Sequence, residues 1–331
     1  MKRFLLIFFS VSSLLSSCVH HQLPVEAFFE VDPFSPDSLR DIYPHEAYSF
    51  ITPADTVAFA SFLSSYPELL SYTYPVDSVG CAASTGKPLF AVFHDIRYQS
   101  YYFVDETTEQ LYERVQACIP EGQARISRSD ANGRNLLVEV AADRIPTTWY
   151  NYECDSDRIT LIHAPSQTLL RHRLAPVRPI TFPARDGVDV PAFLSLPVHA
   201  DASEKPCLPA IIMPRPFGGE NDRWEYNPAV QFFTNRGFVV LQVDCRGGKA
   251  DGTLPDGEAR EQAINDARDG AAWLISQGLA HYRHVSYYVR DDLPYSSADK
   301  MYRDPSIGMH IDERHRMAFF NDLVENASGR R

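Results

Sequence analysis

An α/β fold on a mostly parallel sheet, preceded by a stretch of antiparallel strands, is the architecture this sequence predicts. Three observations predict it. The runs Pro209–Met213 and Phe238–Val243 are short, rich in β-branched residues and bounded by Pro and Gly, which is how strands buried on both faces read. Between them Pro228–Arg236 has helical spacing, with Val230, Phe233 and Thr234 on one side, and Gly237 stops it. Strand, helix, strand is a βαβ unit. Upstream, several short strand patterns follow one another across tight turns.

Composition bounds the function classes. A chain of 331 residues holds about two ordinary domains, and 44% hydrophobic with 12% aromatic residues supplies a core. The formal charge of −12 argues against nucleic acid as a partner, because phosphate contacts need clustered Lys and Arg. His281/His284 and His310/His315 have no HExxH spacing, so they read as structural or exposed residues. Neither a metal nor a cofactor is expected.

The first residues read as a targeting segment. Lys2 and Arg3 precede the apolar Phe4–Leu15, and Ser16-Ser17 leads to Cys18. Leu15-Ser16-Ser17-Cys18 resembles the lipobox of bacterial lipoproteins, which makes 1–17 a signal peptide and Cys18 the acylated anchor. An ordinary signal peptide or an uncleaved anchor helix stays open, although the apolar run falls short of the roughly 20 residues that span a bilayer. The lipoprotein reading implies a membrane partner, the bacterial cell envelope as location, and a mature chain more acidic by two charges. Five cysteines remain, Cys81, Cys118, Cys154, Cys207 and Cys245. An odd number leaves at least one thiol unpaired, and Cys245, after a buried strand, reads as a packed thiol.

Residues 18–80 are poorly defined: Ala54–Leu70 has helical spacing through Val57, Phe59, Phe62 and Leu63, between flanks rich in Pro, Tyr and Asp. A linker plus a helix, or worn-down strands, both fit. From 81 to 173 the pattern is clearer. Lys87–His94 and Gln99–Val104 read as strands, Thr107–Cys118 as an amphipathic helix. Ala124–Ser127, Asn135–Ala141, Thr147–Glu153 and Arg158–His163 read as further strands separated by polar turns.

In 174–331, PVRPITFPARDGVDVPAFLSLP followed by WEYNPAVQFFTNRGFVVLQVDCRGG resembles the prolyl oligopeptidase family of serine peptidases, in its acylaminoacyl-peptidase-like branch. TGKPLFAVFHD, SRSDANGRNLLVEVAADR and TTWYNYECDSDRITLI resemble the last part of the β-propeller that precedes that family's catalytic domain. The resemblance implies a partial α/β-hydrolase domain after an incomplete β-propeller-like region. A blade takes about 40–45 residues, so 19–170 supplies about three, whereas propellers close with about four to eight. An open stack exposes strand edges and cannot form the family's gated chamber.

Pro176–Pro183 and Val188–Leu196, turned at Arg185-Asp186-Gly187, read as a hairpin that opens the hydrolase part. Glu258–Gln277 reads as a helix burying Ala259, Ala263, Ile264, Ala267, Ala271, Leu274 and Ile275, and Gly278 ends it. His284–Val289 is the next strand, which in the family delivers the nucleophile. That chemistry needs a G-x-S-x-G turn, whose glycines let the chain bend sharply so that the serine oxygen stands beside backbone donors. The family pattern places Asp291 at the serine, with Val289 and Asp292–Pro294 instead of the glycines, and no G-x-S-x-G occurs anywhere.

Asp serves as nucleophile in other α/β hydrolases, but β-branched Val289 and rigid Pro294 do not suit a tight elbow. A solvated aspartate is the favoured reading. Ser306, Asp312 and His315 follow the order Ser, Asp, His but lie too close together to come from separate strand ends. Asp312 and His315 fit i, i+3 on a helix. The 40 residues after Asp291 are expected to be too few for the family's remaining strands. In the oxyanion loop, Arg215 aligns with the family's Tyr or His, and Gly218-Gly219 lies a few residues late. The expectation is an envelope-anchored, catalytically incompetent relative of these peptidases with peptides as candidate ligands. The alternatives are an active peptidase or esterase with a non-standard nucleophile and a non-catalytic binding or structural lipoprotein.

Overall fold

The computed structural model describes residues 22–24, 26–29, 32–94, 99–119, 121–214, 224–247 and 257–288. Its first part contains α1 (Glu26–Phe29), β1 (His45–Glu46), β2 (Tyr48–Ile51) and α2 (Thr56–Ser65). A 3-10 turn (Pro67–Ser71), β3 (Val76–Ala82), β4 (Pro88–His94), β5 (Gln99–Phe103) and α3 (Glu106–Ala117) come next. Then come β6 (Gln123–Ser129), β7 (Asn135–Ala141), β8 (Thr148–Glu153), β9 (Arg158–His163) and α4 (Gln167–Leu170). The strands form two antiparallel sheets, β2-β3-β4-β5 and β1-β6-β7-β8-β9.

The alternation of strand residues dictates how the sheets stack. Phe90 and Val92 point to the interface between the sheets, where they meet Ile126, Val138 and Tyr152 together with Tyr112 and Val115 of α3. The intervening Ala91 and Phe93 face the other way, onto Phe62 of α2 and Leu69 of the 3-10 turn. At the interface Gly80 is obligatory: a Cβ there would lie 2.2 Å from the Phe90 ring. Two sheets form, where length alone allows three, because α2, α3 and the segment before β1 absorb the rest of the chain. α2 stops at Ser65 because Pro67 offers no amide donor to continue it.

The second part contains β10 (Val177–Pro183), β11 (Asp189–Ser195), β12 (Leu208–Pro214), α5 (Pro228–Asn235), β13 (Val239–Val243), α6 (Gly257–Ser276) and β14 (Ala280–Tyr287). They form one sheet in the order β10-β11-β13-β12-β14. Its parallel character is confined to β13, β12 and β14. The leading hairpin adds two antiparallel pairings, β10 to β11 and β11 to β13, so the sheet is mixed rather than mostly parallel. β14 begins four residues before the strand pattern suggests. Leu208 pairs with Ala280 but Ala210 with Val285, so residues 281–284 bulge out and conceal the strand's true start.

Both faces of this sheet are covered. Ala210, Ile212, Val239 and Leu241 pack on α6 through Ala267 and Leu274. Ile211, Met213 and Val240 pack on α5 through Val230 and Phe233. α5 is itself overlaid by residues 22–29, with Phe28 edge-on to Phe232. Hence Ala229–Thr234 are all buried, and a buried helix shows no polar face. Of the residues assigned to the covered side of α6, Ala263, Ala267, Ala271 and Leu274 are buried. Ile275, one position beyond Leu274, is 36% exposed.

Hydrogen bonds between fully buried groups couple the two parts. Asp143, just after β7, accepts the Val177 amide at 2.7 Å. Gln231 donates to the carbonyls of Asp143 and Ala175 at 3.1 and 2.8 Å and accepts the Ala175 amide at 3.0 Å. No described helix is long and apolar enough to cross a membrane.

Candidate functional site

The connections leaving β12 and β13 lead to helices on opposite faces of the sheet, α5 and α6. In open α/β sheets such a divergence opens a crevice outside the carboxyl ends of the strands, and ligands bind there. β14 ends beside β12, since the Tyr288 amide donates to the Ile212 carbonyl at 2.8 Å. Tyr288 is buried against Phe233, ring centroids 5.7 Å apart. β14 therefore ends next to the end of β12. Those are the places from which the resemblance draws a nucleophile and an oxyanion loop.

The residues named for those roles, Asp291, Ser306, Asp312 and His315 on one side and Arg215, Gly218 and Gly219 on the other, lie outside the described residues. So does Cys18. His281 and His284 are described: their ring centroids are 4.7 Å apart, and His281 Nδ1 accepts the Arg283 amide at 3.2 Å. Among the described residues no three His, Cys, Asp or Glu side chains converge as a metal site.

The described wall of the crevice is set by Arg246, which follows β13. Its amide donates to Asp266 Oδ2 at 2.8 Å, and its guanidinium reaches Asp266 Oδ1 at 2.6 Å and Asp186 Oδ2 at 2.8 Å. Asp266 is fully buried. An unpaired charge there would be costly, so pairing fixes both partners. Hydrogen bonding from Arg246 holds the Asp186 carboxyl below its ordinary range, and the carboxylates in turn raise the arginine. Beside this pair, Arg185 grips Asp269 at 2.9 Å. Burial pushes Asp269 up, yet the Arg185 hydrogen bonds outweigh it and leave the carboxyl lowered. Gly247 closes the loop at φ +90°, where a Cβ would stand 2.8 Å from the Ala259 carbonyl oxygen.

Between these ion pairs and the first turns of α6 lies an open cleft of about 370 Å³, also lined by Glu258, Glu261, Gln262 and Asn265. Both arginines are spent on carboxylates, so the cleft presents carboxylate and amide oxygen. Its lining holds no hydroxyl, thiol or imidazole, so any chemistry there would fall to its carboxylates. On the α5 side, Tyr226 buries its hydroxyl with no hydrogen-bond partner among the described residues, and desolvation raises its pKa.

Sequence reasoning missed Arg246, Asp266 and the Arg185–Asp269 pair as parts of this edge. The signal was present: Asp266 lies in the apolar row Ala263, Ala267, Ala271 of α6. An acidic residue on a buried helix face requires a cationic partner.

Comparison with known proteins relates this part of the chain to peptidases. Residues 186–288 match the family model for X-Pro dipeptidyl-peptidase, the S15 family. Dipeptidyl aminopeptidase BIII of Pseudoxanthomonas mexicana is 26% identical over 211 residues, covering 61% of this chain and 30% of that protein. Dipeptidyl peptidase family member 6 of Caenorhabditis elegans is 24% identical over 224 residues, again covering 61% of this chain and 30% of its own. The chain thus spans about a third of the length of the curated relatives it matches. Solved structures that overlay on it include a puromycin-hydrolysing peptidase of Mycobacterium tuberculosis, at 16% identity and a TM-score of 0.42, covering 60% of this chain and 31% of that one. Dipeptidyl peptidase 4 of Porphyromonas gingivalis overlays at 15% identity and a TM-score of 0.42, covering 66% and 32%. Overlays at this level establish no relationship by themselves. The family model and the curated relatives support a serine peptidase-type hydrolase as the kin of this chain.

Proposed function

We propose that this chain is an envelope-anchored relative of the prolyl oligopeptidase-type serine peptidases, held by an acylated Cys18, that binds peptides without cleaving them. The supporting observation is the sequence that continues β14, Tyr288-Val289-Arg290-Asp291-Asp292-Leu293-Pro294. A nucleophile elbow needs small residues around an exposed oxygen. Here a β-branched residue, charges and a proline stand in their place. Asp291 is a solvated aspartate on this reading. Arg215 aligns with the family's oxyanion-loop Tyr or His, with Gly218-Gly219 a few residues late, and on this reading they retain donors for a peptide carbonyl or carboxylate.

The test is an active-site probe. A fluorophosphonate reagent phosphonylates an activated serine, the serine oxygen displacing fluoride from phosphorus, so the purified chain is expected to remain unlabelled at Ser306 and at every other serine. Stoichiometric labelling of one serine, lost on its replacement by alanine, would restore the alternative of an active hydrolase with a non-standard nucleophile.

A further inference from the structure

The segment that overlays α5 is pinned at a definite point of the sheet. The Leu23 amide donates to Asn235 Oδ1 at 2.9 Å, and Arg236 donates to the Leu23 carbonyl at 2.8 Å. Arg236 also lies over the Phe232 ring, 3.8 Å from its centroid, and Leu23 is buried with Phe28, Phe232 and Phe233. Asn235 ends α5 and Arg236 leads into β13. Leu23 therefore sits at the amino end of the parallel strands, the edge opposite the crevice. Cys18 lies five positions earlier, a reach of at most about 18 Å.

The same flank carries exposed cations. α4 lies against α1, and Leu169 and Leu174 belong to the cluster that buries Leu23. Between those two leucines Arg171, His172 and Arg173 are all exposed. His172 Nδ1 meets the Thr168 carbonyl at 2.7 Å, whereas neither arginine forms an ion pair among the described residues. From Arg158 to Arg185 the chain contains no Asp or Glu. Of the acidic residues in the overlying segment, Asp32 is held by His163 Nε2 at 2.8 Å, and the side chains of Glu26 and Glu30 lie outside the described residues.

We infer that this flank, from Leu23 to the Arg171-His172-Arg173 corner, is the surface laid on the bilayer, with both arginines on headgroup phosphates and the crevice facing water. The inference rests on the acylated Cys18 of the proposed function. Tether length selects the occupant, because an acylated Cys18 holds Leu23 within about 18 Å of the headgroups. Charge selects the orientation. A chain of net charge −12 is repelled from anionic lipid over most of its surface, and the acid-free corner is where contact meets least opposition. Guanidinium groups bind phosphate oxygens in pairs, and a basic patch beside an acyl anchor supplies a second membrane signal.

Hydrogen exchange of the full acylated chain tests this on phosphatidylglycerol vesicles, on phosphatidylcholine vesicles and in neutral detergent, with the mass of the Cys18 peptide read from the same digests. The amides of 167–174 should exchange most slowly on phosphatidylglycerol, while those of 257–265, at the crevice, exchange alike in all three. Arg171→Gln/Arg173→Gln should reduce that slowing by more than about fivefold and leave the thermal unfolding transition in place. Arg134→Gln, in the β6–β7 turn, should keep it. An acylated chain whose 167–174 amides exchange alike in vesicles and detergent overturns the inference and leaves the anchor standing. So does protection of the crevice instead, or slowing that survives the double substitution. An unmodified Cys18 refutes the anchor, and the inference falls with it.

Discussion

Arg246 shows how much of the sheet's carboxyl edge rests on one side chain. It ties the loop after β13 to α6 through buried Asp266 and to the β10–β11 turn through Asp186. Replacement by methionine keeps the side chain's bulk and removes the charge, leaving buried Asp266 with the backbone amide of position 246 but without its cationic partner. Breaking a buried pair by deleting one partner costs about 3–5 kcal/mol. Arg246→Met is expected to cost about 3 kcal/mol in a urea unfolding titration, at the low end because the Arg246 side chain is 23% exposed. The sequence shows that Arg246 follows a buried strand and that Asp266 sits in a row of alanines. Separated by 20 positions, they could not be joined until the β13–α6 crossover brought them together.

At the scale of elements, the strands were legible where Pro, Gly and polar turns punctuate them. β7 and β9 occupy the predicted bounds, Asn135–Ala141 and Arg158–His163. Three features were not legible. A strand buried on both faces reads alike whether its neighbours are parallel or antiparallel, so the mixed pairing of β11, β13 and β12 was hidden. The bulge at 281–284 breaks the two-residue period and concealed the first half of β14. β1 is a two-residue bridge held by its pairing with β6, too short to leave a pattern.

The junction between the parts carries a prediction of its own. Asp143 is 2% exposed, and burial raises its pKa while the Val177 amide pulls it back; Arg144 Nε stands 3.5 Å from its second oxygen. For a carboxyl raised on folding, the linked stability is fully present below the unfolded pKa of about 3.9 and is lost as pH rises through the folded value. The unfolding free energy of the native chain relative to Asp143→Asn should therefore fall as pH rises from about 4. A difference that grows with pH would assign the site a lowered pKa and refute this reading.

At the scale of the molecule, two antiparallel sheets capped by α2 stand on a five-stranded α/β layer, and the crevice belongs to that layer alone. The fold class and the kinship were legible because the apolar runs of β12, α5 and β13 are dense and collinear. The candidate site is read only as two addresses, after β12 and after β14, in polar stretches without periodicity, and its named residues lie outside the described residues. The described residues supply neighbouring strand ends, a clamped loop and a polar cleft lined by carboxylates and amides.

On the proposed reading, the sequence leaving β14 supports no attack on a carbonyl. The most direct measurement is turnover of dipeptidyl and acyl p-nitroanilides and esters by the purified chain, with Asp291→Asn and Ser306→Ala alongside. Release no faster than in buffer is expected for all three proteins. Catalytic release by the native chain that either substitution abolishes would contradict it.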